Sequence, residues 1–176
     1  MIRIRRFQPA DWPRVWAMLQ ATLATAEQYA FAPDSTEADM RKAWTELPLA
    51  TYVATSDAGA VVGTYYIKPN QPGLGAHVCN CGYLVASEAR GRGVASAMCE
   101  HSQAEAVAHG FRAMQFNLVV STNAGAVRLW QKLGFRIVGT LPGAFHHGRL
   151  GDVDAYVMFK QLAAPRSGSE HAQRAS

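Results

Sequence analysis

Residues 77–110 read HVCNCGYLVASEARGRGVASAMCEHSQAEAVAHG, and the order of features in this stretch decides the fold. His77–Ala86 is apolar and aromatic and carries no formal charge, which predicts a central strand covered on both faces. Ser87–Ala89 reads as a turn. Arg90-Gly91-Arg92-Gly93-Val94-Ala95 then opens a helix whose predicted apolar side is Val94, Ala97, Met98, Ala104 and Ala108. Gly110 is placed to end it in a left-handed cap, with Phe111 packing back onto the last turn.

Two glycines at a strand-to-helix corner let backbone approach a ligand closely. The unpaired N–H groups at the helix start then face it at the positive end of the dipole. Such a corner holds an anion, most naturally a phosphate, and Arg90 and Arg92 add positive charge. The spacing is not that of a P-loop, because no Gly-Lys-Ser/Thr follows. Nor is it a dinucleotide fingerprint, since Ser96 stands three positions after Gly93. It fits Arg/Gln-x-x-Gly-x-Gly/Ala from Arg90 to Ala95. A second block follows about thirty residues on, Asn123-Ala-Gly-Ala-Val-Arg-Leu-Trp130-Gln-Lys132-Leu-Gly134-Phe135. In order and spacing the two blocks resemble the coenzyme A loop and the Asn-x-x-Ala-x-x-Leu-Tyr-x-x-x-Gly-Phe segment of the GNAT superfamily of acyl-CoA N-acyltransferases. The resemblance runs from about Ile2 to Leu162.

The resemblance implies acetyl-CoA as co-substrate, held by Leu84, Val85, Arg90, Gly91, Arg92, Gly93, Val94, Ala95, Asn123 and Lys132. It also implies an oxyanion donor among the backbone N–H groups of Tyr83–Val85, where the family's central strand splays from its neighbour. Gly82 is the expected bulge site. The implied activity is N-acetylation by direct attack in a ternary complex, and the expected acceptor is a small amine or amino-acid-like molecule. A protein or peptide acceptor, or a catalytically silent CoA-binding module, is the alternative. The catalytic candidates are Tyr83, Leu84, Asn117 and His147. For the base, His77, His146, His147 and a water chain all stay open. Trp130 stands where many relatives have a tyrosine that protonates the leaving sulfur. An indole N–H has no usable acid proton, so packing is its expected role, with Tyr83 or water as proton source.

Asn80 and Asn117 interrupt apolar strands, where an amide either bridges the strands or meets substrate. Phe116–Asn123, the block from Arg128 and Gly151–Met158 together resemble a branch that includes a yeast enzyme acetylating azetidine-2-carboxylate, a proline analogue. There the matching asparagines help hold substrate and cofactor. His77, Cys79 and Cys81 share one strand face, but no further ligand has metal spacing, so no metal is expected.

Apolar residues make up 49% and charged residues 17% of 176, the composition of one globular domain. The net charge of +4 is dispersed, without a nucleic-acid footprint, and no apolar run is long enough to suggest a membrane span. Three cysteines and no signal-type apolar core make a cytoplasmic location the default. A homodimer stays open. Asp11 is the expected cap of a first helix with stripe Val15, Met18, Leu19 and Leu23. Asp34 or Ser35, with Glu37, is the expected cap of a second helix that runs to about Leu47. Hairpin signals at Ser56–Gly59 and a ten-residue loop at Pro142–Gly151 complete the order β α α β β β α β α β β. The fold class is therefore α/β of the mixed α+β kind, a single mixed sheet of about seven strands with helices on both faces. The domain is expected over 1–162 and a disordered tail over 163–176.

Overall fold

The computed structural model describes residues 2–162, and the tail expected at 163–176 lies outside them. In chain order the elements are β1 (Arg3–Arg6), α1 (Trp12–Leu23), α2 (Glu37–Arg41), β2 (Ala50–Thr55), β3 (Val61–Pro69) and β4 (Val78–Val85). They continue with α3 (Val94–Ala108), β5 (Ala113–Val120), α4 (Ala124–Lys132), β6 (Arg136–His147) and β7 (Gly151–Gln161). The strands form one sheet in the order β1-β2-β3-β4-β5-β7-β6. Only β4 and β5 run parallel, as a strand–helix–strand crossover requires. Among the described residues no helix is long and apolar enough to cross a membrane.

Helices cover both faces of the sheet. A Cβ on Gly63 would lie 3.0 Å from Met98 and Val94, so that face of β3 meets α3. The neighbouring Thr64 points the other way and accepts from the indole N–H of fully buried Trp44 at 3.2 Å. Trp44 sits in a π-helical turn, Lys42–Glu46, that extends α2. The α1 stripe of Val15, Met18, Leu19 and Leu23 is buried as its spacing predicts, each side chain contributing about 1.5–3 kcal/mol.

Five local expectations need correction. Asp11 precedes α1 but does not cap it, because its carboxylate accepts from Arg5 at 2.7 and 2.8 Å and from the Gln8 N–H at 2.8 Å. The hydrogen bonds from Arg5 hold that carboxyl below its usual range. The cap of α2 is Thr36, which accepts from the Asp39 N–H at 3.2 Å, while Ser35 donates to the Ala32 carbonyl. The buried side of α3 is Val94, Met98, Cys99, Ser102 and Ala106, and Ala104 and Ala108 are exposed. Pro142–Gly151 is not a loop: β6 and β7 run through it to a turn at residues 148–150, and Pro142 and Gly143 fall in an irregularity of an edge strand. Finally, β3 and β4 pair without a break from Gly63↔Val85 to Pro69↔Cys79, so Gly82 is no bulge.

Gly82 is required for a different reason. A Cβ there would lie 2.6 Å from Cε1 of Tyr66, whose ring is buried edge-on against Trp44 with centroids 5.0 Å apart. Gly82→Ala is expected to destabilise the fold by about 1–3 kcal/mol in chemical denaturation, the usual cost of overpacking. An unchanged midpoint would show that the Tyr66 ring moves freely.

Candidate active site

β4 and β5 pair only at Val78↔Ala113 and Cys79↔Met114 and then diverge. The divergence has a visible cause. Between Phe116 and Val119, β5 advances three residues while β7 advances two, so the bulge expected at Gly82 lies instead in β5 and bends it away. Asn80 crosses the root of the gap, its amide N–H donating to the Gln115 carbonyl at 2.9 Å. That bond makes Asn80 a bridge between the strands.

Which groups of β4 face the gap follows from the phase of its pairing with β3. Asn70 N–H donates to Val78 O and Ala86 N–H to Val62 O, so the amides of Asn80, Gly82 and Leu84 also point toward β3. The intervening amides of Tyr83 and Val85 point into the gap. This corrects one expectation: the Leu84 N–H is held by β3, whereas those of Tyr83 and Val85 are placed to meet a ligand. The Tyr83 carbonyl, on the same open edge, accepts from the Tyr29 hydroxyl.

β4 leads through a 3-10 turn, Ser87–Ala89, into the glycine corner. Gly91 and Gly93 have φ of 73° and 78°, and α3 begins at Val94, four residues after the expected start at Arg90. A Cβ at either glycine would meet nothing within 4 Å, so the left-handed backbone is what requires glycine there. The amides of Val94, Ala95 and Ser96 have no carbonyl within the helix, an arrangement suited to an anion. On the other wall, Asn123 caps α4 by accepting from the Ala126 N–H at 3.2 Å.

The gap and the corner form one cavity of about 740 Å³, within the usual range for a small-molecule site. Leu84, Val85, Arg90, Gly91, Gly93, Val94, Ala95 and Asn123 line it. Arg92 and Lys132 are exposed and lie outside the lining. At the other end stand Gln28–Phe31, Tyr66, Asn80 and Asn117. Asn117 donates to Asn70 Oδ1 at 2.7 Å and accepts from Gln115 at 2.9 Å, leaving one N–H and one lone pair of its amide free.

The histidines are elsewhere. His147 is buried and accepts from the Arg149 N–H at 3.1 Å, outside the cavity lining, so the structure does not bring it to the site. His146 contacts Asp152 at 2.7 Å and His77 contacts the Leu74 carbonyl at 3.1 Å, both exposed. Tyr83 lines the cavity, but its hydroxyl is 2.6 Å from Ser102 Oγ; Ser102 donates onward to Cys99 O, which leaves the Tyr83 proton directed at Ser102. Burial and the neighbouring Cys81 thiol push its pKa well up. Burial also raises Tyr29, and moves Tyr66 up to about 12. These phenols are protonated at neutral pH and none is a base. Trp130 packs between Tyr83 and Phe116 at centroid distances of 5.0 and 5.2 Å, as its indole predicts. The three buried cysteines are free, and among the described residues no group of three His, Cys, Asp or Glu could hold a metal. Tyr29 is the functional candidate that sequence reasoning passed over; its only signal is an aromatic pair with Phe31 in an interhelical loop.

Residues 12–135 match the model of the acetyltransferase (GNAT) family. The chain belongs to the GNAT family. It is 43% identical to a GCN5-related N-acetyltransferase from Kribbella flavida, with a TM-score of 0.87 over 92% of this chain and 98% of that one. Among curated proteins it resembles the N-acetyltransferase aca1 of Schizosaccharomyces pombe, 38% identical over 99 residues, as the resemblance to a yeast branch implies. That match takes in 56% of this chain and 47% of aca1, so the chain spans about half the length of that relative. A GNAT phosphinothricin acetyltransferase from Sinorhizobium meliloti, solved with acetyl-CoA, shares the fold at 22% identity and a TM-score of 0.78 over 95% of this chain and 94% of that one.

The glycine corner generates a direct test. A valine at position 93 adopts φ near 78° only at a cost of roughly 1–2 kcal/mol or more, and so turns the helix amides away from a ligand. Gly93→Val is expected to weaken acetyl-CoA binding at least ~10-fold by calorimetry, with circular dichroism unchanged. Unaltered affinity would remove the corner from the site.

Proposed function

We propose that residues 1–162 form an acetyl-CoA-dependent N-acetyltransferase domain that acts on a small amine or amino-acid-like acceptor by direct attack in a ternary complex. The observation that carries this reading is the open edge of β4, with the Val85 and Tyr83 amides unpaired by β3 and running straight into the double-glycine corner. The corner binds the coenzyme's pyrophosphate through the amides at the start of α3, with Arg90 beside it. The pantetheine arm lies along β4 as an added strand, and an amide of that edge stabilises the oxyanion, a contact typically worth ~10²–10³ in rate.

No Asp, Glu or His of the described residues lines the cavity, so the acceptor amine loses its proton to water before attack. The departing thiolate, with an ordinary pKa of ~8.5, needs no strong acid, which suits a site where Trp130 packs. Asn117 presents its free N–H and lone pair to the acceptor, a neutral contact fitted to a carboxylate or carbonyl. The aromatic side chains at the acceptor end, Tyr29, Phe31 and Tyr66, favour a compact molecule over a peptide.

CoA release should be measured with a panel of small amines, amino acids and short peptides. Turnover of small acceptors is expected, with Asn117→Ala raising the acceptor KM by roughly 5- to 150-fold, equivalent to about 1–3 kcal/mol, at constant acetyl-CoA affinity. Turnover of peptides alone would transfer the reading to a protein acceptor, and acetyl-CoA binding without any turnover would make the chain a silent CoA module.

A further inference from the structure

The loop between α1 and α2 brings Tyr29 against the open edge of β4 at Tyr83. Starting from the glycine corner, a ligand laid along that edge first passes Val85 and then reaches the Tyr83 amide. The Tyr83 carbonyl is already taken by the Tyr29 hydroxyl, and the Tyr29 ring lies in the cavity wall at that point. We infer that the Tyr29 ring is the acyl-length stop of this site, admitting an acetyl group beside the Tyr83 amide and excluding longer acyl chains. The inference rests on the acetyltransferase reading above and adds the residue that fixes which acyl donor it takes.

The ring is held from several sides, so it cannot easily make room. It meets Trp44 edge-on with centroids 5.8 Å apart and stacks on Phe31 at 6.3 Å. Trp44 is itself fully buried and bonded to Thr64. The loop behind the ring is clasped by the β6–β7 turn: Gly148 N–H donates to Ala26 O at 2.9 Å and Arg149 to Glu27 at 2.7 Å. A Cβ at position 148 would come within 2.9 Å of the Thr25 carbonyl, so this clasp is close-packed. An acyl chain two methylenes longer must therefore displace a buttressed aromatic side chain, an overpacking cost expected to exceed about tenfold in affinity.

Binding of free CoA, acetyl-CoA and butyryl-CoA is measured by calorimetry, without any acceptor, on wild type, Tyr29→Ala and Tyr29→Phe. Wild type is expected to bind acetyl-CoA at least ~10-fold more tightly than butyryl-CoA. Tyr29→Ala should bring that ratio to within ~3-fold, while Tyr29→Phe, which keeps the ring, its packing and its volume, retains it. The ratio is taken within one preparation and does not depend on the fraction folded. An unchanged ratio in Tyr29→Ala, or its loss in Tyr29→Phe, would overturn the inference. Failure of free CoA to bind wild type would overturn the acetyltransferase reading beneath it.

Discussion

Two strands that should pair along their length stop pairing after two residues, and the site is built around that interruption. A parallel ladder broken inside a domain leaves backbone N–H and C=O groups in a low-dielectric space, where each costs about 1–3 kcal/mol if it finds no partner. The chain satisfies some of them itself. The Asn80 amide takes the Gln115 carbonyl at the root of the gap, and the Tyr29 hydroxyl takes the Tyr83 carbonyl farther along. The amides of Tyr83 and Val85 remain open to the cavity, and an extended ligand with its own amide groups is the chemical complement of that edge.

Aromatic packing fills the α3 side of the gap that the β5 bulge opens. Tyr83, Phe116, Trp130 and Phe135 form a contiguous cluster, with Phe116 and Phe135 stacked at 4.3 Å and Trp130 inclined to both Tyr83 and Phe116. Trp130 therefore serves as a wedge between the diverging strands, a role that needs ring area rather than a titrating proton. The same burial that makes the wedge rigid keeps the neighbouring phenols protonated.

The parts legible in the sequence were those governed by local backbone rules. The left-handed Gly110 cap, the glycine corner at 91 and 93 and the order of elements follow from short-range pattern. The parts that escaped it depend on distant residues. Thr36 caps α2 while the nearby Ser35 is drawn to Ala32, and Asp11 is drawn away from α1 by Arg5. Pro142-Gly143 carries a turn signal, yet β7 holds it as an edge-strand irregularity, with Gly143 N–H bonded to Asp154 at 3.0 Å. Alternation along β4 likewise assigns the open amides to Tyr83 and Val85 only once its register with β3 is known. Tyr29 is the extreme case: its partner is 54 residues away, and no spacing rule links them.

The central claim, that the open edge of β4 receives the coenzyme arm, is tested most directly by site-resolved hydrogen exchange of the backbone amides with and without saturating acetyl-CoA. The Val85 and Tyr83 amides are predicted to exchange at least ~10-fold more slowly in the complex, while Leu84, already bonded to β3, keeps the slow exchange it has in the free protein. Saturation with acetyl-CoA that leaves the Val85 and Tyr83 amides exchanging at their free rates would contradict the account.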